Sequence, residues 1–275
     1  MKDNIEIINL VPKFLDFYKK AVLCDGETRF ELWKKHYGFA AVPPGEEGAM
    51  LAKQLLETAW EKYAKVIPFL EHWSPDGEKI QQYLSKIKSV LEYDQSVEVV
   101  LIFFVGAFDE NAFTAPYGEN RIAICLPIES GENHNTIVHE LTHLVHGKIT
   151  GSAMSWERTV AALVFQEGLA TQLSKYLLPG YKDEVYIAET RKSWLQECYK
   201  DAEQILQGMK PYLPECSAER VLQFTMGTGT TGKVREGYFA GWKLIGDMLE
   251  DGWSFSDIAR VKEEDMADVL VKYIW

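Results

Sequence analysis

The chain has 275 residues, 47% hydrophobic and 25% charged, the balance of an ordinary globular protein with room for one large domain or a core domain and a smaller lobe. A formal net charge of −12, with no cluster of Lys and Arg, argues against a nucleic-acid partner, because phosphate binding needs such clusters. The longest nearly unbroken apolar run, Val99 to Phe108, is too short to span a bilayer, so no membrane partner is expected.

The first residues, Met1-Lys2-Asp3-Asn4-Ile5-Glu6, are acidic where a secretory leader would be basic and then apolar. Cys24, Cys125, Cys198 and Cys216 show neither close pairing nor metal-ligand spacing. Reduced thiols and a cytoplasmic location are the expectation.

Residues 1–95 read as mostly helical, a helical region ahead of the rest. Ile7, Leu10, Val11, Phe14, Leu15, Phe17 and Tyr18 predict a first amphipathic helix with Pro12 near its start. Phe30, Leu32, Trp33 and Tyr37 predict a second helical segment, and Val42-Pro43-Pro44-Gly45 breaks the chain after it. Leu51, Leu55, Ala59 and Tyr63 recur at helical spacing over roughly 46–67. Ser74-Pro75-Asp76-Gly77 is a turn before a further helix, about 77–92.

The pattern changes at Val97. Residues 97–105 are β-branched and aromatic and predict a buried strand. Residues 121–127 predict another, which Pro127 places at an edge because proline cannot donate to a ladder. Asn111 to Gly118 predicts a short strand and turn between them. A strand edge left open there would either dock an extended peptide or be covered by other structure.

His139-Glu140-Leu141-Thr142-His143 follows. Residues four apart share a helix face, so both imidazoles can reach one metal ion. Glu140, about 100° round the helix, points beside that ion, where it can take a proton from water. Ile137, Leu141, Leu144 and Val145 form an apolar stripe, Asn133 or Asn135 can cap the start, and Gly147 is a stop signal. The motif therefore sits on a predicted helix over about 134–147. His146, one turn beyond His143, lies too far along the axis to join a tetrahedral site and reads as a helix-end imidazole favoured by the dipole. His134 reads as solvated at the other end, and His36 and His72 have no evident partner.

After a loop over 148–155, a second helix is predicted for about 156–178, ended by Pro179-Gly180. Glu167 stands in its otherwise apolar middle. A carboxylate there is unfavourable unless it pairs with a basic residue, reaches solvent or binds a metal. Gly168 weakens a helix by about 1 kcal/mol relative to Ala, a loss that close packing against another helix would offset. His139, His143 and Glu167 together would give a His₂Glu set with an open fourth position. Residues 181–208 are helical again, Met226 to Gly232 reads as a mobile loop, and a helix carries Tyr238, Trp242, Ile245 and Leu249. That loop lacks the Gly-Lys-Ser/Thr ending of a phosphate loop.

The run from His139 to His143, with Glu167-Gly168-Leu169-Ala170 after it, resembles the gluzincin group of zinc metallopeptidases. More narrowly, it is similar to an uncharacterised bacterial family of predicted zinc-dependent proteases. Asn111-Ala112-Phe113-Thr114 and Gly237-Tyr238-Phe239-Ala240-Gly241 fit the same pattern, and the likeness covers about residues 97–250. The resemblance implies an α+β, zincin-like fold, with a small twisted sheet packed on the metal helix over 96–150 and a helical subdomain over 151–275. It further implies one zinc ion held by His139, His143 and Glu167, with Glu140 as general base, Tyr238 as oxyanion donor and a peptide or protein as substrate. One departure is clear: such enzymes place an orienting Asp four residues after the glutamate ligand, and this chain has Thr171. A zinc-binding module with little or no hydrolysis is the alternative. The sequence fixes neither the site of cleavage along a peptide nor the oligomeric state.

Overall fold

The computed structural model describes residues 3–108, 112–118, 121–151, 158–188 and 191–274. The protein is α+β, a set of helices with one four-stranded mixed sheet. It divides into two compact units, residues 1–81 with 95–136, and residues 82–94 with 137–275.

The first unit holds the sheet. Its strands are β1 (Asn4–Asn9), β2 (Glu98–Phe104), β3 (Phe113–Tyr117) and β4 (Arg121–Pro127), in the order β1-β2-β4-β3. β1, β2 and β4 run parallel and β3 is antiparallel to β4. β2 is buried at every residue but Glu98, which explains its continuous apolar run. Val100, Ile102, Phe104, Ala123 and Cys125 form a core cluster on which Ile8, Leu10, Phe39 and Phe113 pack.

Two expectations fail here. The apolar run at the start is a strand before it is a helix: Ile7 pairs with Leu101 in the sheet, and α1 begins only at Val11 (Val11–Ala21). Asn9 makes the break, its side chain accepting the Val11 N–H at 3.0 Å, and Pro12 starts the helix, where a missing N–H is harmless. The first strand thus shares a sheet with β2, across the boundary expected at residue 95. Pro127 is not at an edge either, because β4 lies between β2 and β3. Proline is tolerated at that terminal position because the next amide, Ile128, donates to Phe104 O at 3.0 Å. The open edge beside β4 is taken by β3, while Asn111 lies outside the described residues.

The predicted helices of this unit form with shifted ends: α2 (Gly26–His36), α3 (Glu46–Leu70) and α4 (Gly77–Val90), the last running on into the second unit. Phe14, Phe17, Tyr18, Trp60 and Tyr63 make edge-on and tilted ring contacts between α1 and α3. His36 does have a partner, Asp16, at 3.2 Å. His134 is likewise not simply solvated, since its Nε2 lies 2.9 Å from Lys79 Nζ.

The second unit is helical. α5 spans His134–Thr150 and α6 Val160–Leu177. The stretch after residue 181 breaks into α7 (Asp183–Tyr186), α8 (Trp194–Lys200) and α9 (Ala202–Met209). α10 (Ala218–Thr225), α11 (Glu236–Glu250), α12 (Phe255–Ala259) and α13 (Glu263–Val271) complete it. α6 is its central element, buried on nearly every face from Val160 to Leu173. α6 and α11 meet backbone to backbone at two glycines. A Cβ on Gly168 would fall 2.4 Å from Gly241 O, and one on Gly241 would fall 2.4 Å from Val164 O. This is the close approach that the weak helix former Gly168 implied.

The stretch from Met226 to Gly232 is not a loose loop. The carboxylate of Glu236, fully buried, accepts the N–H groups of Thr230, Thr231 and Lys233 at 2.8, 2.9 and 3.3 Å and both threonine hydroxyls. Five donors on one buried acid tie the turn to the first residue of α11. Among the described residues no helix is long and apolar enough to cross a membrane, and no disulfide joins any of the four cysteines.

Candidate metal centre

α5 forms over the motif for the local reasons the sequence offers. Asn133 accepts the Thr136 N–H at 3.2 Å as the cap, and Ile137, Val138, Leu141 and Val145 are buried. Gly147 does not stop the helix, which runs to Thr150 and ends at Gly151, whose φ of 70° favours glycine. α6 starts at Thr159, whose hydroxyl accepts the Ala162 N–H; residues 152–157 of the intervening segment lie outside the described residues.

The two helices bring His139, His143 and Glu167 together, with one donor atom of each lying within 4.8 Å of the others. His139 Nε2 and His143 Nε2 are 2.9 Å apart, and Glu167 Oε2 lies 3.1 and 3.5 Å from them. A tetrahedral set at about 2.0–2.2 Å from an ion places its donors about 3.3–3.6 Å from one another. The cluster is therefore already nearly at ligand spacing. With two ring nitrogens facing each other, one must carry a hydrogen, so a cation at their centre would replace that shared proton. The donor set fits a metal ion.

The electrostatics agree. Burial alone would push His139 down, but the hydrogen bond and charge of Glu167, with Glu140 behind them, hold its pKa above the ordinary value. Burial would likewise raise Glu167, which is 5% exposed. The charge of His143 and hydrogen bonds from His139 and His143 prevail and hold it well below the carboxylate range. The carboxylate is thus ionised and ready to ligate.

Glu140 is half-buried beside the pair, and its charge is felt at both His139 and Tyr238. Tyr238, on the first turn of α11, is held close by its neighbours. The Arg235 guanidinium lies 4.0 Å from its ring centroid, and Arg235 itself donates to Ile187 O and Ala188 O. Burial first, then the Glu167 charge, raises the phenol's pKa, so it keeps its proton at neutral pH.

Three further residues bear on the site. Thr171 does not orient a histidine: its hydroxyl donates to Glu167 O at 2.8 Å and Gly168 O at 3.0 Å, inside its own helix. His146 is not a charged helix-end imidazole. It is 2% exposed, its Nε2 has no hydrogen-bond partner among the described residues, and burial, with His143 nearby, pushes its pKa down to about 4. Arg158, which sequence reasoning passed over, places Nη2 3.4 Å from Glu167 Oε1. Its one sequence signal is a cation just ahead of a helix cap, where the dipole disfavours it.

The buried His146 makes stability acid-sensitive. Between its folded value of about 4 and the ordinary 6.5, the unfolded chain binds a proton that the folded one refuses. Its neutral form therefore stabilises the fold above pH 6.5, and that contribution is lost as pH falls toward 4. From pH 7.5 to 5 the loss is about 2 kcal/mol. Urea unfolding of metal-free protein at the two pH values is expected to show His146→Leu losing about that much less than wild type. Equal losses would rule the residue out as the source.

No protein-family model matches the chain, and comparison with curated proteins and with solved structures finds no match either.

Proposed function

We propose that the protein is a zinc-dependent peptide hydrolase of zincin-like architecture. The observation that supports this best is the convergence of His139, His143 and Glu167, from two separate helices, on one point. Zinc is the natural occupant of a His₂Glu set, and bound there it supplies a Lewis acid that acidifies water and polarises a carbonyl. His139 and His143 would hold the ion through Nε2, and Glu167 through Oε2, the atoms that face one another across the cluster. Glu140 takes the proton from the attacking water and returns it to the leaving amine. Tyr238 donates its O–H to the oxyanion that develops. The substrate is a peptide or protein.

Chelator-sensitive cleavage of a mixed peptide library tests this reading. Tyr238→Phe is expected to lower the rate roughly 10²–10³-fold with zinc content unchanged, measured by initial rates beside metal analysis. A rate within twofold of wild type would leave Tyr238 an ordinary half-buried tyrosine.

A second reading, a zinc-binding module without turnover, draws on Thr171, whose hydroxyl is used within its own helix and orients neither imidazole. Zinc binding with no cleavage across the library selects it.

A further inference from the structure

Arg158 stands one residue before Thr159, the N-cap of α6. The helix dipole disfavours a cation there, and the capping does not need one, since Thr159 already accepts the Ala162 N–H. The guanidinium reaches along the helix instead. Its Nη1 donates to Gln166 Oε1 and its Nη2 lies 3.4 Å from Glu167 Oε1, so the two arms of one planar fork engage successive residues. Nε is buried without a hydrogen-bond partner among the described residues, so the polar contacts of the side chain are those its two terminal nitrogens make with Gln166 and Glu167.

The result is a carboxylate whose two oxygens have different surroundings. Oε2 faces the imidazoles of His139 and His143, at 3.1 and 3.5 Å, and Oε1 faces the guanidinium. A carboxylate can give a metal one oxygen or two, and the second oxygen would fill the position that a catalytic site leaves open. Thr171 cannot restrain Glu167's side chain, because its hydroxyl is spent on backbone carbonyls.

We propose that Arg158 is a positioning residue of the metal centre: by occupying Oε1 it keeps Glu167 a one-oxygen ligand. This rests on the metal-centre reading above but not on peptide hydrolysis. A lysine would supply the charge but not the fork, so Arg158→Lys should act only in part.

The test uses the full chain loaded with cobalt(II), whose visible absorption is strong in four-coordinate sites and weak in five-coordinate ones. Wild type is expected to take up one equivalent with a strong band. Arg158→Ala should bind one equivalent with a band several-fold weaker, as Oε1 joins the metal, and Arg158→Lys should fall between. Should the alanine variant fail to fold, Arg158→Gln replaces it, with an intermediate band expected. Wild-type intensity in the cobalt-loaded variants would overturn the role of Arg158 alone, as would a weak band already present in wild type. Wild type that takes up no cobalt would overturn the metal centre and this inference together.

Discussion

Replacing Glu140 by Gln is expected to leave one equivalent of zinc bound and to lower peptide turnover about 10²–10⁴-fold, the range a positioned general base contributes. The amide keeps the size and shape of the carboxylate, so packing around α5 is preserved. It cannot take a proton. In the proposed site the ligand atoms belong to His139, His143 and Glu167, and Glu140 lies one residue round the helix from the first of them, so metal content should not follow activity down. Initial rates on a fluorogenic peptide, measured beside zinc content, check both halves. A Gln variant that cleaves at the wild-type rate would reject Glu140 as the base.

The largest structural effect is expected where α6 and α11 touch. Gly241→Val places atoms within 2.4 Å of Val164 O and 2.8 Å of Gly168 N, both backbone groups that no rotamer change can move. The helices must separate, at a cost of about 3 kcal/mol or more for overpacking of this kind. In a chain this size that lowers the melting temperature by roughly 6–12 °C. Because α6 carries Glu167 and α11 carries Tyr238, activity at a permissive temperature should fall as well. Gly246→Ala is the control on the same helix. Its added Cβ meets only one side-chain atom closely, Gln172 Nε2 at 3.0 Å, which donates to Trp242 O and need give by only a few tenths of an ångström; with about 1 kcal/mol of helix propensity gained over Gly, the change should be close to neutral. Thermal scans that rank the two variants equally would contradict the backbone contact.

The candidate metal cluster was legible because each of its parts stands out locally. Two histidines four apart on an apolar-striped helix, an acid inside an apolar helix and a glycine beside it all called for an explanation, and the fold supplies one. The rest was hidden for physical reasons. Ile5, Ile7 and Ile8 form too short an apolar run for periodicity to separate strand from helix, and pairing with β2, about 94 residues away, settles it. Pro127 was misplaced because its rule concerns a missing donor, and one amide further on restores that bond. The glycines and threonines from 226 to 232 look mobile until Glu236 is seen to gather their N–H groups. Arg158 was passed over because its contacts lie eight and nine residues along the chain, beyond the three- and four-residue spacing of neighbouring pairs on a helix.

Zinc titration of metal-free wild type beside Glu167→Ala, by competition with a chromogenic chelator, bears most directly on the whole account. The prediction is one tight equivalent per wild-type chain and binding weaker by at least about 100-fold in the variant. Wild type that takes up no zinc, or a variant that matches it, would contradict the proposal that two imidazoles and this carboxylate hold a shared ion.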